Sequence, residues 1–132
     1  MPIGKPAVPF LIKTLADPAE HVRWEAAKAL SELHDTAATL ALVRALEDEN
    51  SGVQWLAAEG LIAMGQEGVR MVLQALIQHA GSVQLREGAH HVLRAQAEDS
   101  LGRIVAPVLE AMESLAPAEA VPGAAYEALK QL

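Results

Sequence analysis

The chain has 132 residues, a formal net charge of −7 at pH 7, no cysteine, and an apolar content of 52% with only 3% aromatic residues. This is the length of one domain, and a core with so few aromatic residues must be built from leucine, valine and alanine, which favours helices. The lack of cysteine excludes disulfides, thiolate metal sites and cysteine nucleophiles, and the acidic balance disfavours nucleic-acid binding, which needs lysine and arginine to neutralise phosphates.

Membrane insertion and secretion are not indicated by the sequence. No apolar stretch approaches the roughly 20 residues that a membrane-spanning helix needs. Residues 1–6 also lack the basic segment and apolar core of a secretion signal. We therefore expect a cytoplasmic protein that does not bind membranes.

The first predicted elements are two helices joined by a short turn. Pro6 is acceptable in a first helical turn, and an apolar stripe at helical spacing follows it. Asp17 is expected to cap the second helix, with Pro18 at its first position. That helix runs to about Leu33, and its apolar face consists of Val22, Ala26, Ala29, Leu30 and Leu33.

The sequence of this helical hairpin then recurs. Residues 21–30, HVRWEAAKAL, return as GVQWLAAEGL at residues 52–61, so that Trp24 and Trp55 stand 31 positions apart. A constant offset of this size indicates a repeat architecture. Ser51 is the predicted cap of the second helix in this copy, and Gly65 is expected to end that helix with a positive φ.

Two weaker copies follow. Residues 85–93 match residues 22–30, and a fourth hairpin begins after Ser100. Its second helix is expected to start late and be short because Pro122 stands where Arg23 and Arg86 stand. The predicted repeats are 5–34, 36–65, 66–97 and 99–132, within a single domain of residues 1–132. The apolar positions of the fourth copy are Val105, Val108 and Met112 on the first helix and Val121, Ala125 and Leu129 on the second.

The sequence Asp17-Pro18, followed by Val22-Arg23, Ala26-Ala27 and Ala29-Leu30, resembles HEAT repeats, in particular the short subclass of phycobilisome lyases. The resemblance implies an all-α fold, a right-handed α-α superhelix of about four helical hairpins with the second helices on the concave side. It also implies that Asp and Arg pair between successive repeats. This pattern is kept by Asp17, Asp48, Arg23 and Arg86 and broken by Gln54 and Pro122.

The same resemblance implies a binding surface on the concave side. Trp24 lies roughly 200° around its helix from Val22, at 3.6 residues per turn, and so points away from the first helix. Two interpretations of the tryptophans remain: they contact a partner, or they fill grooves between repeats. The predicted surface residues are Trp24, Glu25 and Lys28 in the first copy, Trp55, Leu56 and Glu59 in the second, and Glu87, Gly88 and His91 in the third.

No catalytic or metal site is predicted. Glu87 and His90 have the spacing of half a di-iron carboxylate site, but no second such element exists in the sequence. The serines lie at predicted caps or on helices, without a nucleophile elbow. We therefore expect no cofactor, and nothing in the sequence requires an enzyme.

The predicted function is a protein-interaction or scaffold module that binds a protein or peptide through its second helices. Self-association is an alternative, because apolar Val8, Phe10, Tyr126 and Leu129 lie near the two ends. A second alternative, from fold analogy alone, is a lyase-like enzyme or accessory factor that handles a bilin-type cofactor. DNA glycosylase activity, also known on HEAT-like folds, is opposed by the acidic surface residues.

Overall fold

A computed structural model describes residues 4–132, and the side chains from residue 7 onward. The prediction that the N-terminus carries no secretion signal falls partly on residues 1–3, which lie outside this range. The described part contains eight α-helices, one 3₁₀ turn and no strand, which confirms the predicted all-α fold. None of these helices is long and apolar enough to cross a membrane. The helices are α1 Gly4–Thr14, α2 Glu20–Leu33, α3 Thr39–Ala45, α4 Ser51–Ala63, α5 Gln66–His79, α6 Val83–Ala95, α7 Gly102–Met112 and α8 Pro117–Lys130, and the 3₁₀ turn is Thr36–Ala38.

The first six helices form a two-layered solenoid. Helices α2, α4 and α6 lie side by side as an inner row, and α1, α3 and α5 pack against them as an outer row. Neither row can bury its apolar stripe alone, so the core lies between the rows. Its largest fully buried side chains are mostly leucines, namely Leu30, Leu42, Leu46, Leu61, Leu73, Leu76, Leu85 and Leu93.

The helix starts differ from the predicted ones by one or two residues. α2 begins at Glu20, because Asp17 Oδ1 accepts a hydrogen bond from the backbone N–H of Ala19 and so holds a turn before the helix. The cap of α4 is Asn50, whose side chain accepts from the N–H of Val53, and Ser51 is already helical. The predicted caps Asp17 and Ser51 were therefore wrong.

The junction between α4 and α5 follows the prediction for Gly65. This residue has a φ of 57°, in the region that glycine adopts without a steric penalty. Gly68, three residues later, packs directly against the end of α4. A Cβ at Gly68 would overlap the backbone carbonyl oxygen of Leu61. The turn thus depends on two glycines for two different reasons.

An ion pair joins the first two repeats. Arg23 donates from Nε to Asp48 Oδ2 at 2.8 Å and from Nη2 to Asp48 Oδ1 at 3.2 Å, and both side chains are only 9% exposed. Its Nη1 donates to the backbone oxygens of Asp17 and Pro18 at 2.9 and 3.2 Å. The hydrogen bond with Asp48 raises the pKa of Arg23 above its ordinary value. Arg23 therefore fastens α2 to the turn that precedes α4.

The predicted Asp–Arg pairing is confirmed at this junction alone among the described residues. Asp17 accepts from its own turn, and Arg86 donates to the backbone oxygen of Ala80, as Arg23 does to that of Asp17. Arg86 forms no ion pair with a described side chain, and the turn between α7 and α8 has Glu113 but no aspartate. Gln54 cannot form an ion pair at the middle junction.

Replacing Asp48 by asparagine is expected to lower the melting temperature by several degrees. Asparagine can still accept from the N–H of Asn50, as Asp48 Oδ1 does at 2.8 Å, but it leaves Arg23 with only the exposed carboxylate of Glu49, 3.8 Å away, as a charged partner. Asp17→Asn is the matched control, since the Asp17 carboxylate accepts from the N–H of Ala19 in the equivalent turn and forms no ion pair with an arginine. Thermal denaturation followed by circular dichroism measures both, and equal shifts would refute a stabilising role for the ion pair.

The fourth hairpin is packed in the reverse of the predicted arrangement. We expected α8 to extend the inner row beside α6. Instead α8 packs along α5 and α7, and α7 is the helix that contacts α6. The buried stripe of α8 is narrow, consisting of Val121, Ala125 and Ala128, and such small side chains allow close approach to two neighbours. The last helix thus covers the edge of the outer row and leaves the flank of α6 partly open.

The prediction of a short, late α8 was also wrong. The helix starts at Pro117 and runs for 14 residues. Pro117 occupies the first helical position, where no backbone donor is needed. Pro122 lies inside the helix and removes one backbone hydrogen bond, as Pro107 does inside α7. One lost bond is tolerated because α8 is held by packing on two sides.

Candidate functional site

The inner row exposes one face of α2, α4 and α6, and the two tryptophans behave differently on it. Trp24 on α2 is partly buried against α4. A Cβ on Gly52 would lie 3.0 Å from Trp24 Cδ1, so the indole rests on the glycine backbone. Lys28 Nζ lies 5.4 Å from the centre of the ring on its own helix. Trp24 therefore acts mainly as packing between the first two repeats.

Trp55 occupies the equivalent position on α4 and is 56% exposed. Its ring stacks on His91 of α6, with ring centres 4.6 Å apart and planes inclined by 33°. Tilted aromatic contacts of this kind are favourable. The stack covers part of the indole and leaves the rest open to solvent. Trp55 is thus the large aromatic side chain that the inner row presents.

A second contact holds His91 in place. Its Nε2 lies 3.0 Å from Glu59 Oε2, which comes from α4 one helical turn beyond Trp55. The three side chains form a connected group across the α4–α6 junction, which we call the Trp55 cluster: Trp55, Glu59 and His91. Side chains restrained in this way need less ordering when a ligand binds, which favours affinity.

The other predicted surface residues are distributed as follows. Glu25, Lys28 and Glu87 are exposed, whereas Leu56 is partly buried and packs against the core. Gly88 lies against the outer row, since a Cβ there would be 2.9 Å from Leu46 Cδ2. The apolar patch expected from two tryptophans and a leucine therefore narrows to Trp55, with exposed acidic residues beside it.

A shallow groove of about 150 Å³ runs between α4 and α6 beside Trp55. Sequence reasoning named part of its lining and missed Ser51, Gln54 and Ala58. Gln54 did carry a signal, because it replaces the arginine that fastens the preceding repeat. Without that arginine the position becomes part of an open groove. The lining residues are Ser51, Gln54, Trp55, Ala58, Glu87, Gly88 and His91.

Glu87 and His90 do share a helical face, as their spacing predicted. That face lies at the open flank of α6, where a groove is also lined by Met112 and Pro117. Among residues 4–132 no group of three or more histidine, aspartate or glutamate side chains is placed to hold a metal ion. The groups that this surface exposes are an aromatic ring and carboxylates, which can contact a ligand by packing and by hydrogen bonding.

Comparison with protein families supports the same architecture. A family model for HEAT repeats matches residues 8–94, which is well over half of the chain. The chain belongs to the HEAT-repeat family. The match ends inside α6, so the reversed fourth hairpin lies outside it. No curated protein and no solved structure matched the chain.

Membership in the family has one functional consequence. HEAT repeats generally mediate protein–protein interactions. The matched segment includes α2, α4 and nearly all of α6, and hence the whole Trp55 cluster.

Proposed function

We propose that this HEAT-repeat protein is an interaction module that binds a protein or peptide partner along the inner row, with Trp55 as the central contact. The observation that carries the proposal is a tryptophan 56% exposed yet restrained by His91 and Glu59. Tryptophan is among the residues most enriched at binding hot spots. Glu87 lines the same groove as Trp55, and Glu25 and Lys28 are exposed on the neighbouring helix α2.

Trp55→Ala is expected to weaken partner binding by about 30-fold, the loss typical of a hot-spot residue. The fold should survive, because more than half of the indole is already in solvent. The measurement is affinity capture from lysate of the source cells, with the captured proteins quantified by mass spectrometry for wild type and variant. Circular dichroism of the variant provides the check on folding.

Tyr126→Ala is the matched control. Tyr126 is an aromatic residue 54% exposed on α8, which packs against α5 and α7 rather than in the inner row. Proteins captured through the proposed surface should be lost with Trp55→Ala and retained with Tyr126→Ala. Equal loss with both variants would indicate non-specific aromatic contact and would contradict the proposal.

A second copy of the chain is an alternative occupant of the same surface. Phe10 and Tyr126, near the two ends of the solenoid, are also exposed. Sedimentation velocity distinguishes the cases. A dimer that Trp55→Ala dissociates would place self-association on the inner row, whereas one dissociated only by Phe10→Ala or Tyr126→Ala would place it at the ends.

We also infer that the repeats belong to the short subclass similar to phycobilisome lyases. The support is the offset of 31 residues between Trp24 and Trp55 and the Arg23–Asp48 pair between repeats. The described inner row adds no observation that favours chemistry on a bilin-type cofactor.

A further inference from the structure

The groove beside Trp55 is too small for an ordinary small-molecule ligand. Its volume of about 150 Å³ lies below the roughly 300–1,000 Å³ that enclose typical small-molecule ligands. It is also shallow and open along its length. A groove of this size accommodates one side chain of a longer polypeptide.

The charge around the groove is negative. Glu87 lines it, is exposed, and forms no ion pair with the side chains of residues 7–132. The acidic turn Glu47-Asp48-Glu49 is separated only by Asn50 from Ser51, which lines the groove. Glu47 Oε2 accepts from Ser82 at 3.0 Å, which holds this turn close to the start of α6. Within this turn Arg23 pairs closely with Asp48 at 2.8 Å and more loosely with the exposed Glu49 at 3.8 Å.

The first two repeats also differ in the charged residue that follows each tryptophan on its helix. In the first copy Lys28 Nζ lies 5.4 Å from the centre of the Trp24 ring, a favourable cation–π distance. The position equivalent to Lys28 in the second copy is Glu59. Trp55 therefore has a carboxylate where Trp24 has an ammonium group, and Glu59 is itself turned to His91.

We propose that the groove binds an arginine or lysine side chain from a basic segment of the partner polypeptide. The cation packs on the open part of the Trp55 indole, and Glu87 accepts its N–H donors. Both contacts favour a cation, since the ring face is electron-rich and hydrogen bonds to carboxylates are strengthened by charge. This inference rests on the proposed interaction function and specifies the partner's chemistry. The net charge of −7 also favours encounter with a basic segment.

The test uses a phage library of random short peptides selected on the full-length protein, with Trp55→Ala in parallel as background. Peptides selected on wild type are expected to carry arginine or lysine at one shared position. A synthetic peptide from the selection should then lose affinity when that residue is replaced by glutamine or norleucine. Its affinity for wild type should also fall as sodium chloride is raised, because exposed charges are screened.

Glu87→Gln separates the cation site from general apolar binding. We expect it to weaken the selected peptide about 5-fold, the upper end for an exposed ion pair. Glu110→Gln, an exposed carboxylate on α7, removes the same charge from another surface and should leave the affinity unchanged. If Glu87→Gln and Glu110→Gln weaken binding equally, only the overall charge matters and the cation site is refuted.

The outcomes also separate the two proposals. Peptides that depend on Trp55 but are apolar or acidic would overturn the cation site and leave the interaction function standing. No enrichment on wild type above the Trp55→Ala background would overturn both. Basic peptides whose affinity requires both Trp55 and Glu87 would establish the site.

Discussion

Gly68→Ala is expected to lower the free energy of unfolding by about 3 kcal/mol, because overpacking against backbone cannot be relieved by a rotamer change. A Cβ at Gly68 would overlap the carbonyl oxygen of Leu61, so α5 would have to move away from the end of α4. Both helices contribute to the core, with Leu61 and Val69 fully buried. Urea denaturation followed by circular dichroism measures the change.

Gly123→Ala is the control with the opposite expected sign. Gly123 lies inside α8, and nothing surrounds the position of its missing Cβ within 4 Å. Alanine there should stabilise the helix by about 0.5–1 kcal/mol through its better helix propensity. Because Gly68 is also helical, propensity alone would make Gly68→Ala stabilising too. A Gly68→Ala variant at least as stable as wild type would contradict the close approach of α5 to α4.

Trp24→Ala is expected to destabilise the fold by about 3 kcal/mol, the lower end for a tryptophan truncation because the ring is only partly buried. The indole fills the space above Gly52 and helps to hold α2 against α4. Its removal leaves a gap that glycine cannot fill. Urea denaturation of the variant gives the loss in stability.

Trp55→Ala is the matched comparison. It should lower the free energy of unfolding by less than about 1 kcal/mol, because the Trp55 ring is mostly exposed. Although the repeat places the two residues at equivalent positions, Trp24→Ala should mainly lower stability and Trp55→Ala should mainly weaken binding. The assignment of Trp24 to packing and Trp55 to contact would fail if the two variants were equally destabilised.

The repeat period and the composition were enough to predict the helices. The apolar stripes of α2 and α4 recur at helical spacing, and no competing strand pattern exists, so the local signal was unambiguous. The helix starts were less predictable. Asp17, Asn50 and Ser51 are all residues that can cap, and the choice depends on backbone turns that sequence spacing does not specify.

The positions of the candidate site could be predicted from the sequence, but which of its side chains are exposed could not. The offset of 31 residues makes Trp24 and Trp55 equivalent, yet their exposure depends on the next helix. Trp24 packs against Gly52, whose missing side chain lets the indole contact the backbone of α4. Trp55 packs against His91, which contacts part of the indole ring and leaves the rest exposed to solvent. That difference comes from residues 28 and 36 positions away in the chain.

The sequence by itself determined that this chain is an all-helical repeat protein, because period and helical amphipathicity are local properties. Only the tertiary structure decided that α8 covers α5 instead of extending the inner row, since the narrow apolar stripe of Val121, Ala125 and Ala128 does not itself specify which helix it packs against. It also decided that Trp55 is exposed while Trp24 is packed. Burial is a property of what lies across an interface, and that is set by helices distant in sequence.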